Sequence, residues 1–292
     1  MRIADQTRLG SVMRDLSSIQ RQLFLASREA SSGSRLAAPS SDPIAAAQMV
    51  RVQAADAEAV GYRNALRTIR GDVELAESTL DDAANLADSL RELAMRGANG
   101  SLSAEERTSL AAEVRHLKSE LVARANQKGS IGYLFGGTLD QSPAFSASGV
   151  WLGNAMDRVA AIAPGQTMVS SVSGALAFTS LGGIDVFASV EALAIALETN
   201  NQPAVASSVN TMDTARRQIL AARVDAGVKL QRIDTADQAH SFAQLSLSSQ
   251  AHTLGDADPA ASYSRLTSLQ TTLQQSISVA RSLLDTLSVQ RF

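Results

Sequence analysis

The chain contains no cysteine. Disulfides, thiolate catalysis and cysteine-held metals are therefore excluded at once. Aromatic residues are scarce, at 4% with one Trp and three Tyr, although hydrophobic residues reach 45%. A core of that composition is expected to be filled by Leu, Ile, Val and Ala, which suits close helix packing. No apolar run approaches the roughly 20 residues that cross a bilayer, so a membrane is not an expected partner. Charge of one sign is also missing: 26 basic residues face 29 acidic ones for a net −3. Without a concentrated basic face, nucleic acid is not an expected partner either. Residues Met1 to Arg8 show no apolar h-region, so no ordinary secretory signal peptide is expected.

What the chain does have is helical periodicity. Leu9, Val12, Leu16, Ile19, Leu23, Ala26 and Ala30 alternate spacings of three and four, a heptad seam that stops at Ser31-Ser32-Gly33-Ser34. Asp42-Pro43 then opens a second block. Asp is a preferred N-cap, and Pro is tolerated at the first helical position because its missing N–H is unpaired there anyway. No proline follows until Pro143. From Val52 a seam runs unbroken through Ala55, Ala59, Tyr62, Leu66, Ile69, Val73, Ala76, Leu80, Ala83, Ala87, Leu90 and Ala94. As one helix it spans roughly 80 Å, with local bends allowed at Gly61 and Gly71. Gly97-Ala98-Asn99-Gly100 closes it, and the capping box Ser103-Ala104-Glu105-Glu106 starts a third helix carrying Leu110, Val114, Leu117 and Leu121.

After Asn126 the pattern changes. Glycines crowd residues 129–186, and β-prone runs occur at Ile131–Phe135, Val150–Leu152, Thr167–Val172 and Leu176–Thr179, with Pro143 and Pro164 between them. These runs suggest a small β-rich insert. Helix is expected again at Val186–Leu197 and from Pro203, where Val205, Val209, Met212, Ile219, Ala222, Ala226, Leu230 and Ile233 recur at helical spacing. Asp258-Pro259 repeats the cap-plus-proline device. The last helix carries Leu266, Leu273, Ile277, Ala280, Leu284 and Leu287, with Gln270 filling a polar seam position. The expected fold is mainly α: a long antiparallel coiled-coil helical bundle, a rod with a small β-rich insert domain and terminal heptad helices. Its expected parts are terminal helices over 1–42 and 255–292, a helical rod over 43–128 and 186–254, and the insert over 129–185. The terminal stripes are too narrow to form a globular core, so they need partner helices, either each other or those of neighbouring molecules.

No catalytic constellation emerges. His116, His240 and His252 are the only histidines, and the latter two are twelve residues apart, not the four that would set both on one metal. Asp81-Asp82 and Glu105-Glu106 are adjacent in sequence, and adjacent helical residues point about 100° apart. Gly129-Ser130-Ile131-Gly132 and Gly136-Gly137 lack the Gly-Lys-Ser/Thr of a phosphate cradle, and no serine stands in a G-x-S-x-G elbow. Neither an enzyme nor a cofactor is expected. Periodicity alone leads only to a coiled-coil scaffold.

Several segments carry more. Ser32-Gly33-Ser34-Arg35-Leu36 through Pro39-Ser40-Ser41-Asp42-Pro43-Ile44-Ala45-Ala46-Ala47 resembles the N-terminal signature of the flagellin family, with Ser-Asp-Pro where Asp-Asp-Pro is usual. Arg91-Glu92-Leu93-Ala94 and Ala98-Asn99-Gly100-Ser101-Leu102-Ser103 are similar to the family's next turn and helix. Pro39-Ser40, Asn126 with Gly132-Tyr133-Leu134-Phe135-Gly136-Gly137, and the ending Ser282-Leu283-Leu284-Asp285-Thr286-Leu287 resemble the hook-associated branch more than filament flagellin. The resemblance implies a structural subunit of the bacterial flagellum, forming an adaptor ring between hook-associated protein 1 and the flagellin filament. It further implies export through the flagellar channel to the cell exterior, and terminal helices that coil together only on assembly. Self-association and an export chaperone complete the implied partners. In that setting Leu9, Val12, Leu16, Ile19 and Leu23 are expected to pack against Leu266, Leu273, Ile277, Leu284 and Leu287, and Asp42 and Pro43 to cap the signature. The alternatives are filament flagellin and an unrelated cytosolic scaffold.

Overall fold

Caps and breakers divide the chain into seven helices and one hairpin in a computed structural model that describes residues 2–36, 38–40 and 42–289, with helix backbone alone at 2–9 and 283–289. The helices are α1 (Arg2–Ser32), α2 (Pro43–Gly97), α3 (Ala104–Ala125), α4 (Gly174–Phe178), α5 (Val186–Glu198), α6 (Gln202–Gly255) and α7 (Pro259–Val289). The hairpin is β1 (Val159–Ala163) and β2 (Gln166–Val169). Two compact units result: Met1–Glu58 with Phe242–Phe292, and Ala59–Ser241. They are called here the terminal and the central unit.

In the central unit the α2 seam is buried at every position from Ala59 to Ala94 except the half-buried Tyr62. Leu66, Ile69, Val73, Ala76 and Leu80 form one core with Ala215, Ile219, Ala226 and Ile233 of α6. A second core joins Leu90 and Leu93 to Leu110 and Val114 of α3, Val190 and Leu193 of α5, and Val205 and Met212 of α6. Helix α2 continues through Gly61 and Gly71, where an added Cβ would meet nothing within 4 Å. Gly97 differs, since a Cβ there would overlap Leu197. The Ser103 cap is reciprocal: its hydroxyl accepts the Glu106 amide at 3.2 Å, and the Glu106 carboxylate accepts the Ser103 amide at 2.7 Å. That backbone hydrogen bond holds the Glu106 carboxyl below the usual carboxylate range.

Ion pairs run along the α2–α6 contact with a change of sign. Arg63 of α2 meets Asp237 at 2.9 Å and Arg70 meets Asp234 at 2.6 Å. Further along, Glu77 and Asp81 of α2 both meet Arg223, at 2.6 and 2.5 Å, and Asp88 meets Arg216 at 2.7 Å. The two helices are therefore antiparallel. Between α3 and α5, Arg115 contacts Glu191 and Glu198, while Lys118 reaches Glu191 at 2.8 Å.

Between α3 and α5 the chain is largely irregular, and its strands differ from the sequence expectation. Val159↔Val169, Ala160↔Met168 and Ala161↔Thr167 pair antiparallel across the Pro164-Gly165 turn, where Gly165 takes φ +70°. The Ile131–Phe135 and Val150–Leu152 runs contribute only isolated bridges, Lys128↔Tyr133 and Phe145↔Trp151. Leu176–Thr179 is not a strand. Ser173 caps a helical turn there by accepting the Leu176 amide, and Gly174–Phe178 is α4.

The scarce aromatics are concentrated in this region. Phe135, Phe145, Phe178 and Phe187 are all fully buried, with ring centroids 4.9–5.7 Å apart, and Trp151 lies 5.0 Å from Phe145. An aliphatic core was expected throughout, yet here rings dominate, because short irregular segments need large side chains to bury enough area. Three polar residues tie the region to the helices. Asn126 pairs both ways with the Phe145 backbone, and Asp72 accepts the Ser130 amide and hydroxyl at 2.7 Å. Gln218, only 7% exposed, donates to the carbonyls of Ala177, Thr179 and Ile184 and accepts the Ile184 amide.

Candidate assembly site

In the terminal unit α1 lies along α7. Glu29, near the end of α1, stands 3.5 Å from the Ser262 hydroxyl near the start of α7, so the two helices are antiparallel. On α1 the residues Val12, Leu16, Ile19 and Leu23 are half-buried and Ala26 is buried. On α7 Leu266, Leu273 and Ile277 are half-buried. The side chains of Leu9, Leu284 and Leu287 lie outside the described residues. One register detail needs correction: Gln270 is exposed, and Leu269 is the half-buried residue beside it. The α7 seam follows Ser262, Leu266, Leu269, Leu273, Ser276 and Ala280, the four–three alternation that keeps one face toward a single partner.

Two helices cannot enclose a seam, so most of its residues stay half-covered. Among the described residues of this unit only Ala26, Ala45, Gly255, Ala257 and Ser262 are buried. Large apolar groups remain in the open, including Phe24 at 63% and Ile44 at 74% exposure. Leu36, Pro39, Pro43, Ala46, Met49 and Val50 line an open apolar groove.

The loop after α1 is built by complementary caps. Gly33 takes φ +66° and its amide closes on the Glu29 carbonyl at 2.9 Å, a left-handed stop that glycine adopts without a Cβ clash. Ser34 then pairs with Asp256 as an isolated antiparallel bridge, in which the Arg35 amide donates to Gly255 at 2.7 Å and the Ala257 amide to Gly33 at 2.9 Å. The Arg35 guanidinium donates to the Leu254 carbonyl at 3.0 Å, placing a cation at the C-terminus of α6. Asp42 accepts the Ala45 amide at 2.9 Å and so caps α2, whose first residue is Pro43. Asp258 does the same for α7, accepting the Ala260 amide at 2.8 Å ahead of Pro259. Sequence reasoning placed both acidic caps but missed the Arg35 contact, whose partner is 219 residues away.

The groups weighed for chemistry are dispersed. His116 pairs with Glu120 at 3.2 Å, His252 with Asp256 at 2.8 Å, and His240 stacks on Tyr62 and contacts the Ile162 carbonyl. Asp81 turns to Arg223 and Asp82 to Arg124. Among the described residues no group of three His, Asp or Glu could hold a metal, and no helix is long and apolar enough to cross a membrane.

The terminal unit thus consists of capped, half-covered helices, and comparison with known proteins shows what the chain is similar to. Residues 5–137 match the family model of the bacterial flagellin N-terminal helical region. That match supports a structural role in the bacterial flagellum, and the chain is also similar to flagellar hook-associated proteins. It is 27% identical to flagellar hook-associated protein 3 of Escherichia coli, over 94% of this chain and 95% of that protein. It is also 27% identical to flagellar hook-associated protein 3 of Salmonella typhimurium, over 88% of this chain and 89% of that one. A solved structure described as a flagellar hook-associated protein from Vibrio parahaemolyticus superposes with a TM-score of 0.69 at 25% identity, covering 74% of this chain and all of that one.

Proposed function

We propose that this chain is an adaptor subunit that forms a ring between hook-associated protein 1 and the flagellin filament. The observation that carries the reading is the terminal unit: an antiparallel helix pair, locked by the Arg35 and Asp42 caps, whose seam is only half covered. Its full-length similarity to hook-associated protein 3 supports this role over that of a filament subunit.

In this reading residues 1–42 and 255–292 supply the assembly helices, 43–128 and 186–254 a coiled-coil rod, and 129–185 an insert exposed on the ring. Leu9, Val12, Leu16, Ile19 and Leu23 form the seam with Leu266, Leu273, Ile277, Leu284 and Leu287, and copies of the same unit cover the apolar faces left open. An isolated heptad helix is marginal in water, so the pair orders fully only when neighbours bind. The subunit travels unfolded through the flagellar export channel, with a chaperone shielding its terminal helix, and performs no catalysis.

Deletion of the gene tests the reading. The deleted strain should build hooks without attached filaments and release flagellin into the medium, and the wild-type gene should restore filaments. Normal filaments on the deleted strain would overturn it.

A further inference from the structure

The turn between α2 and α3 holds an arrangement that the assembly role does not use. Asn99-Gly100-Ser101 is exposed. Its main chain is fixed on both sides: the Asn99 amide donates to Arg96 at 3.1 Å, and the Asn99 carbonyl accepts from Leu102 at 3.3 Å and from the Arg107 guanidinium at 2.8 Å. Arg107 is itself only 5% exposed and also donates to the Gly97 carbonyl and to the Asn200 side chain. On this fixed frame the Asn99 Oδ1 accepts two hydrogen bonds from Ser101, from its amide at 3.1 Å and its hydroxyl at 3.0 Å.

We propose that Asn99-Gly100 is a site of self-catalysed deamidation, with Ser101 as the group that assists it. The Gly100 amide nitrogen, which donates to no described group, loses its proton to solvent and attacks Asn99 Cγ. The negative charge of the tetrahedral intermediate develops on Oδ1, where the two Ser101 donors already point. Nδ2 takes a proton from solvent, the Cγ–Nδ2 bond breaks as the Oδ1 charge re-forms the carbonyl, ammonia leaves, and a five-membered succinimide remains. Water then opens either carbonyl, giving aspartate or its β-linked isomer at position 99. Glycine favours the step because it sets no Cβ beside the attacking nitrogen.

Asn126 and Asn154, two other asparagines outside the helices, lack this combination. Asn126 has both ends of its side chain bound to Phe145 and is followed by Gln127. Asn154 donates its Nδ2 to Thr138 at 2.7 Å and is followed by Ala155.

The test is incubation of the full-length folded protein at mildly alkaline pH, followed by tryptic mass spectrometry of the Gly97–Arg107 peptide. Conversion should be faster at Asn99 than at Asn126 or Asn154. Ser101→Ala should slow it about fivefold, the worth of one exposed hydrogen bond, and Ser101→Thr, which keeps the hydroxyl, should retain the rate. Gly100→Ala should suppress it further. An Asn99 rate no higher than at the other two sites, or one unchanged by Ser101→Ala in a variant with wild-type circular dichroism, would overturn the proposal.

Discussion

Arg35 and Asp42 illustrate what a single residue can and cannot reveal. Asp42 caps the helix that begins at the next residue, so its role is written in the local order Asp-Pro and needs no tertiary information. Arg35 spends its charge on Leu254, far along the chain, and nothing near it in sequence points there. Removing that guanidinium by Arg35→Ala should cost about 1 kcal/mol locally. The expected readout is faster hydrogen exchange of the Ala257 amide, which closes the adjoining bridge; unchanged exchange would mean that the bridge holds without the cap. Arg107, Gln218 and Asp72 are the same kind of residue, buried polar groups whose partners lie on other elements, and they were invisible in the sequence for that reason. Gly71 is the opposite case. It stands exposed in the middle of α2 with open space at its Cβ position, so Gly71→Ala should raise stability by about 1 kcal/mol. A lower melting temperature in that variant would mean that the glycine serves a bend.

At the scale of elements, periodicity and punctuation located the long helices well. The α2 seam from Ala59 to Ala94 was readable because a repeat sustained over many turns averages out local exceptions. The region between α3 and α5 was not, because five-residue segments carry too few positions to show a period. Leu176–Thr179 looked β-prone, yet the Ser173 cap and Gln218 hold that turn helical. Val159–Ala163, rich in alanine, gave no strand signal at all.

The α2–α6 ion pairs specify register rather than bulk stability. A slip of seven residues in one direction sets Arg70 against Arg223, and in the other Glu77 against Asp234, so either shift creates like-charge contacts. Arg223→Glu should therefore lower the melting temperature, and adding Glu77→Arg with Asp81→Arg should recover part of it. An additive loss would show that the pairs are uncoupled. Asp237 and Glu191 have carboxyl groups held below their ordinary range, chiefly by hydrogen bonds from Arg63 and Lys118 respectively. Their stabilisation is complete above the unfolded-state value near ~4 and is lost as pH falls through the lower folded values. A melting temperature that is flat from about pH 8 to 5 and declines below about pH 4 is expected; a decline beginning near neutrality would point to other groups.

For the whole molecule, the contrast between units governs the account. The central unit encloses cores, whereas the terminal unit leaves its seam half covered and residues such as Phe24 and Ile44 exposed. A charge in that seam should therefore affect assembly more than folding. Leu16→Asp should abolish ring formation in a complementation assay while the central unit keeps its melting transition; filaments of normal number would remove Leu16 from the interface. The need of the terminal stripes for partners was legible in their narrowness. Only the slot given to Gln270 differs on α7, because Leu269 and Gln270 satisfy the spacing equally well and Leu269 is the half-buried one.

The adaptor role itself is tested most directly by immunogold labelling of intact flagella with an antibody raised against residues 141–183. The account predicts gold confined to the boundary between hook and filament. Gold along the whole filament would contradict it and make the chain a filament subunit, and the absence of gold from every flagellum, with an antibody shown to bind the native protein, would contradict the flagellar assignment as a whole.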